Sequence, residues 1–584
     1  MGNCSSKGEE NASAPSAPSH AHAARPNACA ESDASAPHRP QVKTQHSLTK
    51  SGFHSDIHND KKSMASLLAH NNTKRLRDVY ETQSGAVLGR GACGTVSVVK
   101  RKDTGELYAM KQVSLDGMAG GTVEELRKEI DIQRNLTHPN ICRLFESFEE
   151  DGNIFIIMEI CTGGALVSRM KTHRHGYGER AAATLVEKML SAVIYCHHNG
   201  VVHRRCELLG PCTSDIKLDN FIYENEAEDA ELKLIDFGFA AEVQEGKEAM
   251  WDQLGTPSYM APELWSESAK EYDSSVDMWA LGVVTFMLLS GKRPFHHQDR
   301  KEKARMIKHD PLVFRGAVSP YLDLPGLFEW DRVTDEAKDF CRKLMQKSPR
   351  DRMPASEAIH HPWIQHASTL HAGADAAHEL AAHDEIIDSL EAFCHADDLK
   401  KLALESIAFS TPPAKLEELR IMFVKMDVDD SGTISMDEFK AAMLMHPELK
   451  QEKIQMVRAA SPCMFENMDL NGSGEVDYLE FLSATISTAK SGQDRMSAMA
   501  AFSILDRDGD GYVGKSDIMS AVEGSYTEAE VDEMLAAHGK NGLINYQGFK
   551  VLMFSERGAH LYRAASTLSP YNDKATREAL ASVA

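Results

Sequence analysis

The sequence predicts a multidomain chain in which an α+β unit is followed by an all-α unit, the whole preceded by a disordered N-terminal tether. Three observations carry this. The chain has 584 residues, several times the roughly 100–200 residues of one domain. Short apolar runs broken by glycines mark strands between Gly85 and Ile160, whereas helical periodicity dominates from Ala181 through Trp363. Beyond Leu416 a loop pattern recurs at intervals of several tens of residues, the sign of internal repeats.

Composition narrows the function before any motif is read. Lys and Arg number 64 against 87 Asp and Glu, a formal charge of −23, with 42% hydrophobic and 26% charged residues. That surplus of acid argues against nucleic acid as a partner, since phosphate binding needs Lys and Arg. It suits either a solubilising surface or carboxylates gathered around a cation. The longest apolar runs, such as Ala280–Leu289, fall well short of the ~18 residues of a spanning helix. The N-terminus is polar, without a secretory apolar region. The 11 scattered cysteines suit free thiols in a reducing compartment, so a cytoplasmic protein is expected.

The first residues modify that expectation. Met1-Gly2-Asn3-Cys4-Ser5-Ser6 fits N-myristoylation at Gly2, with Cys4 placed for S-palmitoylation. One acyl chain holds a membrane only marginally, and the second would make peripheral attachment to the cytoplasmic face stable. Residues 1–79, rich in Ala, Ser, Pro, His and Asn between Lys7 and Thr73, read as a disordered segment carrying this signal.

The elements of the α+β unit follow in order. Gly85–Lys100 reads as strand, tight loop and strand, Thr122–Leu136 as a helix, and Asn153–Ile160 as a short apolar strand. Leu88-Gly89-Arg90-Gly91-Ala92-Cys93-Gly94-Thr95-Val96 fits G-x-G-x-x-G-x-V. Glycines there let backbone N–H groups approach phosphate oxygens without a side chain in the way. Tyr108-Ala109-Met110-Lys111 on the next strand carries an ammonium for the α/β-phosphates, and Glu129 is spaced to fix it by an ion pair.

With these residues the chain resembles the protein kinases, and the resemblance continues in order. Asp236-Phe237-Gly238 resembles the metal-binding D-F-G motif, and Ala261-Pro262-Glu263 resembles A-P-E, with Arg352 placed to pair with Glu263. Asp277-Met278-Trp279-Ala280-Leu281-Gly282 is similar to the helix that braces the catalytic loop, and His361-Pro362-Trp363 to the end of the domain. The resemblance implies a bilobal kinase fold over residues 80–364 that uses Mg-ATP. It implies a nucleotide site of Leu88, Gly89, Gly91, Gly94, Val96, Ala109, Lys111, Glu129, Asn220 and Asp236, with Met158 as gatekeeper and Asn220 and Asp236 on magnesium.

The catalytic loop departs from the family pattern. His203-Arg204 is separated from Asp215-Ile216-Lys217-Leu218-Asp219-Asn220 by ten residues, Arg205–Ser214. Removing them restores the motif, with Asp215 as the base that accepts the substrate hydroxyl proton and Lys217 neutralising the γ-phosphoryl. The interruption has three readings. It is a solvent bulge that leaves Asp215 in place, a break between Arg204 and Asp215 that yields a pseudokinase, or a retained piece of intron translated in frame; its clean edges favour the last. Lys217 and Thr256 resemble serine/threonine kinases of broad specificity. Ala165 stands where many kinases that prefer basic substrates have Glu, and Asp252 where many carry a phosphorylated Thr.

The repeats are EF-hand loops, which need oxygen ligands at positions 1, 3, 5, 7, 9 and 12 with glycine at 6. The first carries Asp427, Asp429, Ser431, Gly432, Thr433, Ser435 and Glu438. The second carries Asp469, Asn471, Ser473, Gly474, Glu475, Asp477 and Glu480. The third carries Asp506, Asp508, Asp510, Gly511, Tyr512, Gly514 and Asp517. Asp517, one methylene shorter than Glu, predicts weaker Ca²⁺ binding or better Mg²⁺ tolerance. A fourth hand keeps only its frame, Gly542, Ile544 and Phe549, and would be the structural partner of the third. The four hands are placed at 416–451, 457–492, 495–530 and 531–560.

Between the halves, residues 384–412 read as an amphipathic helix with a basic centre, the kind an open EF-hand groove takes up. Kinase, junction and hands in one chain resemble the calcium-dependent protein kinases from Tyr80 to Phe554. The resemblance implies a monomeric enzyme that phosphorylates Ser or Thr of protein substrates. The junction would block the cleft at low Ca²⁺, and methionine-lined grooves (Met422, Met443, Met456, Met468) would draw it away once Ca²⁺ binds. The alternative is a calcium-sensing scaffold, a pseudokinase impaired by the interruption.

Overall fold

The computed structural model describes residues 70–71, 74–91, 94–118, 120–173, 176–199, 201, 216–235, 258–265, 273–314, 330–368, 386, 389–444, 461–486, 495–521, 526–539 and 541–554. Gly2, Cys4, Arg205–Ser214, Asp215, Asp236, Asp252, Thr256 and Met456 lie outside these residues.

The first lobe is a six-stranded sheet. Its strands are β1 (His70–Asn71), β2 (Tyr80–Gly91), β3 (Gly94–Arg101), β4 (Leu107–Ser114), β5 (Leu144–Glu150) and β6 (Asn153–Met158), in the order β1-β5-β6-β4-β3-β2. The β1–β5 pair is parallel and the other pairs are antiparallel. Val99, Ile156 and Ile157 are fully buried in it, as expected of β-branched residues on a packed pleat. Helix α1 (Gly120–Arg134) begins two residues before the predicted helix and ends two earlier.

The second lobe is helical. Helix α2 (Glu179–His198) packs against α3 (Ser275–Ser290), and α3 packs against α4 (Asp335–Leu344). The sequence of α3 is apolar all round, which leaves it no solvent face, and nearly every residue is buried. Gly291 stops it in the left-handed conformation, φ 68°, its N–H reaching Met287 O at 2.7 Å. Strands β7 (Phe221–Tyr223) and β8 (Leu232–Leu234) pair antiparallel as a separate two-stranded sheet.

The junction differs from the single amphipathic helix expected. The chain is helical at 389–394, breaks, and restarts as α5 (Asp398–Ser410) behind Asp397, whose side chain accepts from Lys400 N at 2.9 Å. α5 is buried along nearly its whole length, including Lys401 and Glu405 on its polar face, because it lies between the helices Tyr478–Thr485 and Arg495–Leu505 of the hands.

The EF-hand helices surround it. They include α6 (Glu417–Met426), α7 (Met436–Leu444), residues 461–468, α8 (Tyr478–Thr485), α9 (Arg495–Leu505), α10 (Lys515–Ala521), α11 (Glu528–His538) and α12 (Tyr546–Phe554). The hands are joined in pairs by two-stranded ribbons, β9 (Thr433–Ser435) with β10 (Glu475–Asp477) and β11 (Tyr512–Val513) with β12 (Ile544–Asn545). Val513 faces Ile544 across the second ribbon, so the fourth hand does partner the third. One apolar core runs from the sheet lobe through α5 into the hands, whereas the helical lobe has its own.

Candidate functional site

Register builds the nucleotide side of the site. Gly89 faces Val96 and Gly91 faces Gly94 across the β2–β3 hairpin. Gly94 has φ +134°, and a Cβ there would lie 2.0 Å from Gln112 O, so no side chain fits. Gly89 looks onto open space. Cross-strand pairing of Val96 with Lys111, of Lys111 with Ile156 and of Ala109 with Met158 puts all five on one face of the sheet. Lys111 is buried, Glu129 on α1 is half-buried and Leu88 is exposed.

Lys217 is extended, and Leu218–Asn220 forms one 3₁₀ turn closed by Asn220 N to Lys217 O at 3.0 Å. Asn220 is buried, and its carbonyl accepts from Ile235 N at 3.0 Å, which places it beside the residue that precedes Asp236. Glu263 and Arg352 form the predicted pair, bidentate at 2.8 and 3.0 Å with the Arg352 side chain fully buried. Arg352 also donates to Ser275 O at 2.6 Å, tying Glu263 to the start of α3. Asp277 on α3 bonds His197 at the end of α2, 2.9 Å.

The calcium side repeats one arrangement. In the first loop Asp427 accepts from Ser431 N and Gly432 N, both at 2.8 Å, and Glu438 turns back to accept from Val428 N at 2.9 Å and Ser435 N at 2.9 Å. In the second, Asp469 accepts from Ser473 N and Gly474 N, and Glu480 from Leu470 N, Asn471 N and Asp477 N. Asp517 of the third still reaches Arg507 N at 3.0 Å and Gly514 N at 2.9 Å. Oxygens of Asp427, Asp429 and Glu438 lie within 4.8 Å of one another, as do those of Asp506, Asp508 and Asp510. Burial, then the charges of Asp430, Asp429 and Glu438, push the Asp427 carboxyl up to about 8. A hard divalent cation fits such an all-oxygen cage and removes that repulsion.

The sequence gives no periodic or motif signal for the residues that join the two sides. Arg143 donates to the last carbonyls of α5, Phe409 O at 3.0 Å and Ala408 O at 3.4 Å, and Phe409 packs edge-on against Phe145 at 5.5 Å. Both kinase residues belong to the β5 side of the sheet, away from the β2–β3 hairpin. Arg420 of α6 pairs with Glu231 at 3.1 Å, and Lys188 of α2 pairs with the same carboxylate at 2.8 Å. Gly432 of the first loop sits against the Tyr195 ring of α2.

A glycine-rich hairpin over a buried lysine, a helical lobe locked by Glu263–Arg352 and paired oxygen cages define a protein kinase with an EF-hand module in the same chain. A model of the protein kinase domain matches residues 82–364, and one of the EF-hand domain pair matches residues 416–486. Calcium-dependent protein kinase 21 of Arabidopsis thaliana is 31% identical over 82% of this chain and 84% of its own length. Calcium-dependent protein kinase 11 of Oryza sativa subsp. japonica is 31% identical over 82% and 77%, and calcium-dependent protein kinase 2 of Zea mays 29% over 82% and 87%. The chain belongs to the calcium-dependent protein kinase family.

Proposed function

We infer that calcium governs phosphoryl transfer in this chain through the position of α5. The chain is a calcium-activated serine/threonine protein kinase that transfers the γ-phosphoryl of Mg-ATP to protein substrates. The observation that carries the control is the burial of α5 between α8 and α9, with its last carbonyls held by Arg143 away from the phosphate hairpin. The hands thus hold the segment that would otherwise be free to cover the substrate cleft. Calcium favours the state in which they grip it.

The residue roles follow the same reading. Asp215 takes the proton of the substrate hydroxyl, Lys217 neutralises the moving phosphoryl, and Glu129 steadies the Lys111 ammonium. Asn220 and Asp236 hold magnesium, which when bound neutralises charge across the phosphates; the Ile235–Asn220 backbone bond supports their closeness. The three oxygen cages take Ca²⁺, the third more weakly. The domain division is 80–364 for the kinase, 384–412 for the junction and 416–560 for the hands. No described helix is long and apolar enough to cross a membrane; acyl chains on Gly2 and Cys4 would anchor the monomer peripherally to a cytoplasmic face.

Transfer of radiolabelled phosphate to a generic protein substrate, with calcium and with EGTA, tests the reading, with Asp215→Ala as the control. A chain ending at Ile364 is expected to be active without calcium. If it is inert while the full chain responds to calcium, autoinhibition by the junction is wrong. Comparing the full chain with one lacking Arg205–Ser214 measures what the interruption does to turnover.

A further inference from the structure

The third calcium loop has a neighbour that belongs to the sheet lobe. Lys74 lies two residues ahead of the helical turn Leu76–Val79, and that turn is fastened to the sheet. Leu76 is buried, its N–H donates to Glu150 Oε1 of β5 at 3.0 Å, and Lys102 N donates to Val79 O at 3.0 Å. From this root the half-buried Lys74 side chain reaches the loop, where its ammonium donates to Asp506 O at 3.4 Å. It lies so close over Gly509 that a Cβ there would stand 2.4 Å from Nζ and 2.5 Å from Cε. Gly472, at the same place in the second loop, meets nothing within 4 Å. A second contact holds the third loop on the sheet lobe: Ser503 of α9, three residues before Asp506, donates to Asp103 Oδ2 at 2.9 Å.

We propose that Lys74 is a built-in competitor for the cation of the third loop, so that the sheet lobe helps to set this hand's affinity for divalent metal. The ammonium and a bound cation would draw on the same carboxylates, those of Asp506, Asp508 and Asp510, which already lie together. A positive charge fixed beside such a cage repels a second one, and the repulsion is strongest where water is partly excluded. Asp506 is such a place: its Oδ1 is buried without a hydrogen-bond partner among the described residues. Burial raises the Asp506 carboxyl above its usual range, while the Gly511 N–H and the Lys74 charge pull it down. The third hand is therefore weakened twice, by the short Asp517 and by a lysine from another domain. By linkage, a cation in the loop loosens the hold of Lys74 by the same factor. The proposal rests on the reading of the third loop as a calcium site made above.

Calorimetric calcium titration of the full chain tests it. Lys74→Met, which keeps the length and removes the charge, is expected to tighten one site about threefold to tenfold and leave the others unchanged. Lys74→Arg, which keeps the charge, should alter that site by less than about twofold. In a chain that also carries Asp506→Asn, Lys74→Met should change nothing, which places the effect at the third loop. Repulsion scales with the charge of the ion and is screened by salt, so the gain should be larger for terbium(III) than for calcium and should shrink in concentrated KCl. Equal calcium affinities of the full chain and its Lys74→Met variant overturn the proposal, as does a gain that survives in the Asp506→Asn chain. If Asp506→Asn removes no site from the titration of the otherwise unaltered chain, the reading of the third loop as a calcium site fails and the proposal falls with it.

Discussion

Gly432 and Gly474 occupy the same place in successive calcium loops, yet their surroundings differ. Both have left-handed backbones, φ +82° and +87°, where a side chain costs roughly 1–2 kcal/mol. A Cβ on Gly474 meets nothing within 4 Å, but one on Gly432 lies 2.3 Å from Tyr195 Cδ2. Gly474→Ala is therefore expected to weaken calcium binding at the second hand by about fivefold to thirtyfold, the same ~1–2 kcal/mol, and nothing else. Gly432→Ala should do the same at the first hand and also lift that hand off α2. Calorimetric calcium titration reads the first effect, and hydrogen exchange along α2 reads the second. The turn that demands glycine was legible from the loop pattern. The contact with Tyr195 was not, because nothing local in either segment records a partner so distant in the chain.

At the scale of elements, α5 has the most to say. It carries Glu405, fully buried, with no hydrogen-bond partner for either carboxylate oxygen among the described residues. Burial, with Asp477 adding to it, pushes this carboxyl well above the usual glutamate value. An unpartnered buried carboxyl is destabilising where it stands, by about 1–3 kcal/mol. Glu405→Met, which removes the unpartnered polar atoms and keeps a similar length and volume, should seat α5 more firmly. The calcium needed for half-maximal kinase activity should fall severalfold; an unchanged or higher requirement would contradict this account. The sequence showed that the junction is helical and placed it between kinase and hands. It misled about the exposed face, since Lys400, Lys401 and Glu405 look like a solvated stripe until the second wall of the groove is known. The β2–β3 hairpin and β4 were legible because each follows from spacing within one motif, and the ion pair of Glu263 with Arg352 because the resemblance to the protein kinases implied it.

For the whole molecule, the decisive contacts cross between domains that sequence patterns treat separately. Glu231 accepts from Lys188 within the kinase and pairs with Arg420 of the first hand. Although burial works against it, these two cations hold its carboxyl below the usual range. Breaking the cross-domain half leaves charge in a largely buried place, a loss on the order of 1 kcal/mol after allowing for residual solvent. Arg420→Ala should raise the calcium required for activation several-fold, and should do so much less in a Glu231→Gln chain. An Arg420→Ala effect of the same size in both chains would show that the pair does not link the domains. The domains themselves were readable from motif order. Their interface was not, because it is made of single residues, Arg143, Tyr195, Glu231 and Arg420, that belong to no motif.

The unbroken apolar core from the sheet through α5 to the hands has a thermodynamic consequence. Elements that share a core tend to gain and lose order together, so the boundary that motifs draw near residue 364 is not where the molecule should come apart on heating. The sheet lobe should melt with the calcium-binding region and apart from the helical lobe. Binding linkage then runs in both directions: if calcium steadies the lobe that receives nucleotide, nucleotide must tighten the hands on calcium by the same factor. Calcium titrations with and without a non-hydrolysable ATP analogue should differ by that factor, and identical curves would mean the shared core transmits nothing. A cell with ample ATP would then set the calcium threshold of this enzyme partly through its own substrate.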